Sequence, residues 1–276
     1  MRRVPGRALW PVLLGSAACT GGFELGAPIA DAEEVASRAR AASGAEQPTR
    51  VEFEWEYADE RGSFKGDGVA RVNPPDRFRL DLFSTGEGSL QATLVDGDLA
   101  TSGDLEGVEL PPSVFLYAMA GVFRPGDAPP ASGFESDDLR VLEFEAGEGR
   151  RRYFHLSGDR LTRVEERLGP RRERWIELDW GADPGWPSEA EYRDAVEETG
   201  VRWRLVSATA ESRPYEERFY VLPNPIRDDD RARRRRGAGG LLQLLRRRRS
   251  AQSHAHRLRG ADREREYPVR ARRVPD

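Results

Sequence analysis

The sequence predicts a mostly β (α+β) chain of about ten or eleven strands and two helices, built as a barrel or a strongly curved antiparallel sheet. Three observations predict it. Apolar residues alternate with polar ones along Val51, Phe53, Trp55 and Tyr57, along Phe78, Leu80 and Leu82, and along Leu90, Ala92 and Leu94; that period of two marks half-buried strands. Turn signals recur between such runs: Asn73-Pro74-Pro75-Asp76, Asp96-Gly97, Gly158-Asp159 and Gly169-Pro170. Proline withholds a ladder N–H and glycine accepts positive φ, so each breaks a strand. Only two stretches carry helical spacing, and regular strands with so little helix point to a barrel or a bent sheet.

The chain begins with Arg2, Arg3 and Arg7, an apolar run from Ala8 to Leu14, and small residues from Gly15 to Ala18. This is the three-part layout of an export signal over 1–18. The run is too short to cross a bilayer, which takes about 20 residues. Ser16-Ala17-Ala18-Cys19 resembles a bacterial lipobox, in which the cysteine becomes the lipid-bearing first residue; ordinary cleavage after Ala18 also fits. Cys19 is the only cysteine, so an intramolecular disulfide is excluded. An acylated Cys19 would hold the chain to a membrane through residues 19–30 as a tether, because each buried CH₂ contributes about 0.8 kcal/mol.

Asp31 to Ala42 reads as a helix, with Asp31 as N-cap and Glu34 at capping-box spacing. The strand Val51–Tyr57 follows, then a meander from Gly62 to Gly97. In its first strand Phe64, Gly66, Gly68, Ala70 and Val72 share a face. From Ser113 to Arg124, apolar residues fall at helical spacing nearly all round, and Pro125-Gly126 stops the run; such a helix is buried on more than one side or moves between two apolar surfaces. Strands resume at 139–145, 151–157, 160–168, 171–180 and 188–196. Val201, Trp203 and Leu205 begin a long one, and Phe219 to Leu222 is expected to be the last.

Formal net charge is −4, but it is unevenly placed. Residues 227–276 hold 17 arginines against 7 acidic residues, about +10, which leaves about −14 on the rest. The body is therefore 31–223, and 224–276 is an Arg-rich, low-complexity tail expected to be disordered. Its arginines could meet anionic lipid head groups; an export signal argues against nucleic acid.

The sequence lacks a Gly-x-Ser-x-Gly elbow, a phosphate-cradling loop and a dinucleotide fingerprint. Of the three histidines, His155 is expected on a strand surface, and His254 and His256 lack partners at metal spacing. No catalytic residue, metal ligand or cofactor is assigned, and the chain is read as not an enzyme. What remains is apolar surface: Phe53, Trp55, Phe78, Leu80, Leu82, Leu94, Trp203 and Leu205 on the sheet, with Phe115, Leu116, Met119, Val122 and Phe123 on the helix. These either fill a core or line a site for flexible hydrocarbon, which Met and aromatic side chains accommodate.

The order of elements resembles the LolA/LolB family of bacterial lipoprotein carriers and acceptors. The matching stretches are SFKGDGVARV, PPDRFRLDL, LVDGDLAT and the apolar helix after Pro112, within about 31–223. The resemblance implies an unclosed, curved antiparallel half-barrel capped by helices, with an apolar cavity between them that receives acyl chains. Family carriers place an arginine directly before the turn proline, where this chain has Pro74. The expectation is an envelope lipoprotein, periplasm-facing and held to the outer membrane through Cys19. It would act as a monomer on lipid acyl chains or lipoproteins, with envelope proteins as further partners. The alternative is a non-catalytic scaffold or assembly lipoprotein of the same fold with a filled core.

Overall fold

The computed structural model describes residues 26–227 apart from 87, 104, 106, 183, 184, 224 and 225, and the backbone alone of 226 and 227. The export signal, Cys19 and the tail beyond Arg227 lie outside the described residues.

Fourteen strands form one antiparallel sheet. In chain order they are β1 (Ala27–Pro28), β2 (Thr49–Asp59), β3 (Gly62–Asn73), β4 (Arg77–Ser84), β5 (Ser89–Val95), β6 (Asp98–Gly103), β7 (Ser132–Ser136), β8 (Leu139–Glu145), β9 (Arg150–Ser157), β10 (Arg160–Leu168), β11 (Arg171–Asp179), β12 (Glu189–Asp194), β13 (Thr199–Ala210) and β14 (Ile226–Arg227). Two meanders, β2–β6 and β7–β13, are welded by a long pairing of β13 with β2. Across that weld Phe53 and Trp203 stack with centroids 4.4 Å apart. The outermost strands are β1 and β14, which do not meet, so the sheet is open.

Between β6 and β7 the chain crosses from one side of the sheet to the other, carrying helix α2 (Ser113–Met119). Tyr117 of α2 sits edge-on to Phe78 of β4, at 5.3 Å, while α2 also packs on β10, β11 and β12. Six strand spacings separate β4 from β10, about 29 Å in a flat sheet at about 4.8 Å each. A helix is only about 10 Å thick. One helix reaches both places because the sheet curls round it. Helix α1 (Ala32–Ala42) covers β10 from the same side, burying Val35, Ala36 and Ala39.

Local chemistry accounts for the ends of these elements. The Asp31 side chain accepts the Glu34 N–H at 2.8 Å and caps α1. Asp96 and Gly97 both have positive φ, 52° and 90°, as a tight two-residue hairpin demands. Helix α2 stops at Met119 rather than running to Arg124, because Gly121 at φ +75° turns the chain beneath Trp180. The strand expected at Phe219–Leu222 is instead a 3₁₀ turn, η1 (Glu217–Tyr220). Residues 211–223 run as a strap over the outer face of β3–β6. The amide of Asn73 exchanges hydrogen bonds with the Tyr215 backbone (2.9 and 3.0 Å), Arg77 pairs with Glu217, and Ser102 donates to the Pro223 carbonyl at 2.7 Å. Arg71 and Arg79, both paired with the buried Asp81, lie under the Phe219 ring.

Candidate functional site

Alternation sends the odd-numbered apolar residues of β2 and the even-numbered ones of β4 and β5 to the hollow side of the sheet. Twelve of the thirteen residues singled out from the sequence are buried there: Phe53, Trp55, Phe78, Leu80, Leu82, Leu94, Phe115, Leu116, Met119, Val122, Phe123 and Trp203. Leu205 is partly buried against them. The structure brings the whole set into one cluster. It also adds members that sequence reasoning missed: Phe144 of β8, Phe154 of β9, Tyr192 of β12 and Trp186 of the β11–β12 loop. Phe123 packs edge-on to Phe144 and Phe154 at 6.1 and 4.9 Å, and Phe115 leans on Tyr192 at 5.1 Å.

The roomy hollow expected from the sequence is not open. Residues 113–123 fill it. A mostly apolar gap bounded by Val51, Phe53, Met119, Trp186, Trp203 and Leu205 measures about 20 Å³, against roughly 300 Å³ or more for an ordinary ligand pocket. The reason is the crossing segment itself: every residue from Val114 to Phe123 is buried, and aromatic rings fill the concavity from both sides.

What holds that segment is specific. The backbone N–H groups of Phe115, Leu116, Ala120, Gly121 and Val122 all donate to carbonyls between Pro112 and Ala118, not to strands. Two polar contacts tie it to the sheet. The Tyr117 hydroxyl accepts the Gly97 N–H at 3.3 Å, and burial pushes that phenol up to about 12. Arg124 pairs with Asp76 in the β3–β4 turn and lies over the Tyr117 ring at 5.1 Å. The turn therefore contributes the acid and the crossing segment the cation.

One end of the hollow is polar. Glu166 receives Arg152 at 2.6 Å and Arg174 at 3.1 Å; Arg174 continues to Asp194 at 2.8 Å, and Tyr192 donates to Asp194. Burial alone would raise the Asp194 carboxyl, but Arg174 and the N–H groups of Glu197 and Val196 hold it below its usual value. These charges neutralise one another, which is the condition for burying them. On the opposite face Glu165 is fully buried beneath Arg163 and Arg167, 2.7 Å from each, and its nearest oxygen is 3.9 Å from His155. His155 is thus buried at 3% exposure rather than on the strand surface, because arginine stems roof the outer face there. No cluster of His, Cys, Asp and Glu among the described residues could hold a metal.

No family model matches the sequence, and neither does any curated protein. Solved structures resemble it at low identity. A LolA-superfamily protein of Nitrosomonas europaea is 12% identical over 69% of this chain and 97% of its own, with a TM-score of 0.47. A DUF1329-family protein of Desulfovibrio piger is 8% identical over 70% and 97%, with a TM-score of 0.43. MucB, in the MucA/MucB complex of Pseudomonas aeruginosa, is 15% identical over 72% and 63%, with a TM-score of 0.28.

Proposed function

We propose that this chain is a cell-envelope protein that takes up acyl chains of a lipid or lipoprotein in the hollow its own crossing segment occupies at rest. One observation carries the reading. Residues 114–123 are buried as deeply as any core element, yet the backbone hydrogen bonds of residues 115–122 stay within the segment. Hydrocarbon could replace these side chains without breaking a strand pairing, and the apolar area lost by the segment would be regained by the ligand. Gly121, at positive φ, ends the part that would swing, residues 114–120. Cys19, if acylated, would tether the body to the outer membrane on its periplasmic side.

The test is tryptophan fluorescence of the full chain during titration with a fatty acid, with lipid extraction and mass spectrometry of the purified protein. Trp186 and Trp203 border the gap, so saturable binding should change their emission. A folded sample that carries no lipid and shows no saturable change rules the reading out. Palmitate labelling that persists unchanged in Cys19→Ser would remove the anchor.

The dense filling favours a second reading, a scaffold or assembly lipoprotein whose core is complete without ligand. It expects protein partners and no lipid in a pull-down from envelope extract.

A further inference from the structure

We infer that the rim of the hollow holds a head-group subsite for a zwitterionic amphiphile, one bearing a phosphate and a primary ammonium. This rests on the acyl-binding reading above and adds the class of lipid. The chain passes from Met119 and Ala120, which line the apolar gap, to Val122, Phe123 and Arg124, which line a second cleft of about 310 Å³ at the same end of the sheet. That cleft opens between the end of α1, the β3–β4 turn and the crossing segment. A hydrocarbon tail that takes the place of residues 114–120, leaving Val122 and Phe123 where they are, therefore has its polar end in this cleft.

Four charged groups face it: Arg40, Asp76, Arg124 and Asp127. Asp76 and Arg124 satisfy each other. Arg40 and Asp127 line the cleft with no ion-pair or side-chain hydrogen-bond partner among the described residues, each other included. Arg40 rests its guanidinium over the Phe123 ring at 6.0 Å, which holds it at the mouth. One unmatched cation and one unmatched carboxylate across a small cleft complement a ligand that carries both signs. A phosphate takes Arg40 with charge-assisted bonds, and the adjoining ammonium takes Asp127. A purely anionic head would leave Asp127 facing it, and an uncharged head would engage neither group.

The full chain is titrated, by tryptophan fluorescence, with decyl phosphoethanolamine, decyl phosphate and decanol. The phosphoethanolamine compound should bind about tenfold more tightly than decanol, as a charge-assisted contact at an open rim allows. Arg40→Gln and Asp127→Asn should each remove most of that preference while leaving decanol binding unchanged, and Arg40→Lys should restore part of it. Both positions are exposed, and unchanged unfolding midpoints would confirm intact folding. Tailless phosphoethanolamine should leave the emission unchanged; a response equal to that of the decyl compound overturns a lipid as its source. Equal affinity for all three compounds, or a preference untouched by both substitutions, overturns the head-group site while acyl binding stands. Decyl phosphate binding as tightly as decyl phosphoethanolamine overturns the zwitterion. If no decyl compound binds, the acyl reading fails together with this one.

Discussion

Gly68 is the smallest case of one residue fixing many. A Cβ there would lie 2.4 Å from the Phe53 ring, and that ring stacks on Trp203 across the weld. Gly68→Ala should therefore cost about 1–3 kcal/mol through overpacking, read as a lower midpoint in urea unfolding. His155 gives a pH dependence. Burial lowers its pKa from 6.5 to about 4, with the Glu165 charge opposing. Between those values the unfolded chain binds a proton that the folded one refuses. Its contribution to stability is complete above about 6.5, falls as pH drops toward about 4, and then levels, a loss on the order of 3 kcal/mol. Unfolding at pH 7 and 4.5 should show a smaller difference in His155→Gln than in the parent. The interior set was legible in the sequence because alternation marks it. The burial of His155 was not: alternation with Phe154 and Leu156 puts it on the outer face, and only the register that sets Glu165 and its arginines alongside explains why it is covered there.

Among the elements, α1 was readable to its cap, and Asp31→Ala should cost about 1 kcal/mol by loss of the Glu34 bond. The long strands and the Asp96-Gly97 hairpin were equally plain. Strands β1 and β14, two residues each, exist only through their partners, and β7 is short and polar. The apolar run Phe219–Leu222 looked like a strand but has no neighbour to pair with; it folds as η1 and buries Tyr220. For the crossing segment, burial was legible and fit was not. A gap of about 20 Å³ is a small difference between large volumes, which no residue pattern encodes. Arg124→Gln cuts the tie to Asp76 and should raise amide exchange of residues 115–122 about fivefold, the effect of a partly exposed ion pair. Exchange in β9–β12 should stay as it was. Equal loosening of those strands would mean that the segment is an integral part of the core.

At the scale of the molecule, the fold class was readable from strand spacing and the openness of the sheet was implied by the resemblance alone. Its two outermost positions are taken by the ends of the body: Ala27–Pro28 lies along β7, and Ile226–Arg227 along β6. Short outer strands, one bearing a proline, discourage further strand addition. A chain ending at Ala210 would lose β14 and the strap, baring β6 and the paired arginines over Asp81; it should self-associate in sedimentation at concentrations where the full chain is a single copy. These end pieces have another effect. In a sealed cylinder the ring of hydrogen bonds between first and last strands fixes the circumference. Here the ladder stops at both sides and its two margins never join, so the arc can widen or tighten by small changes of twist between neighbouring strands without any amide pair being given up. The bore of this protein is an adjustable quantity, set by whatever it is wrapped around.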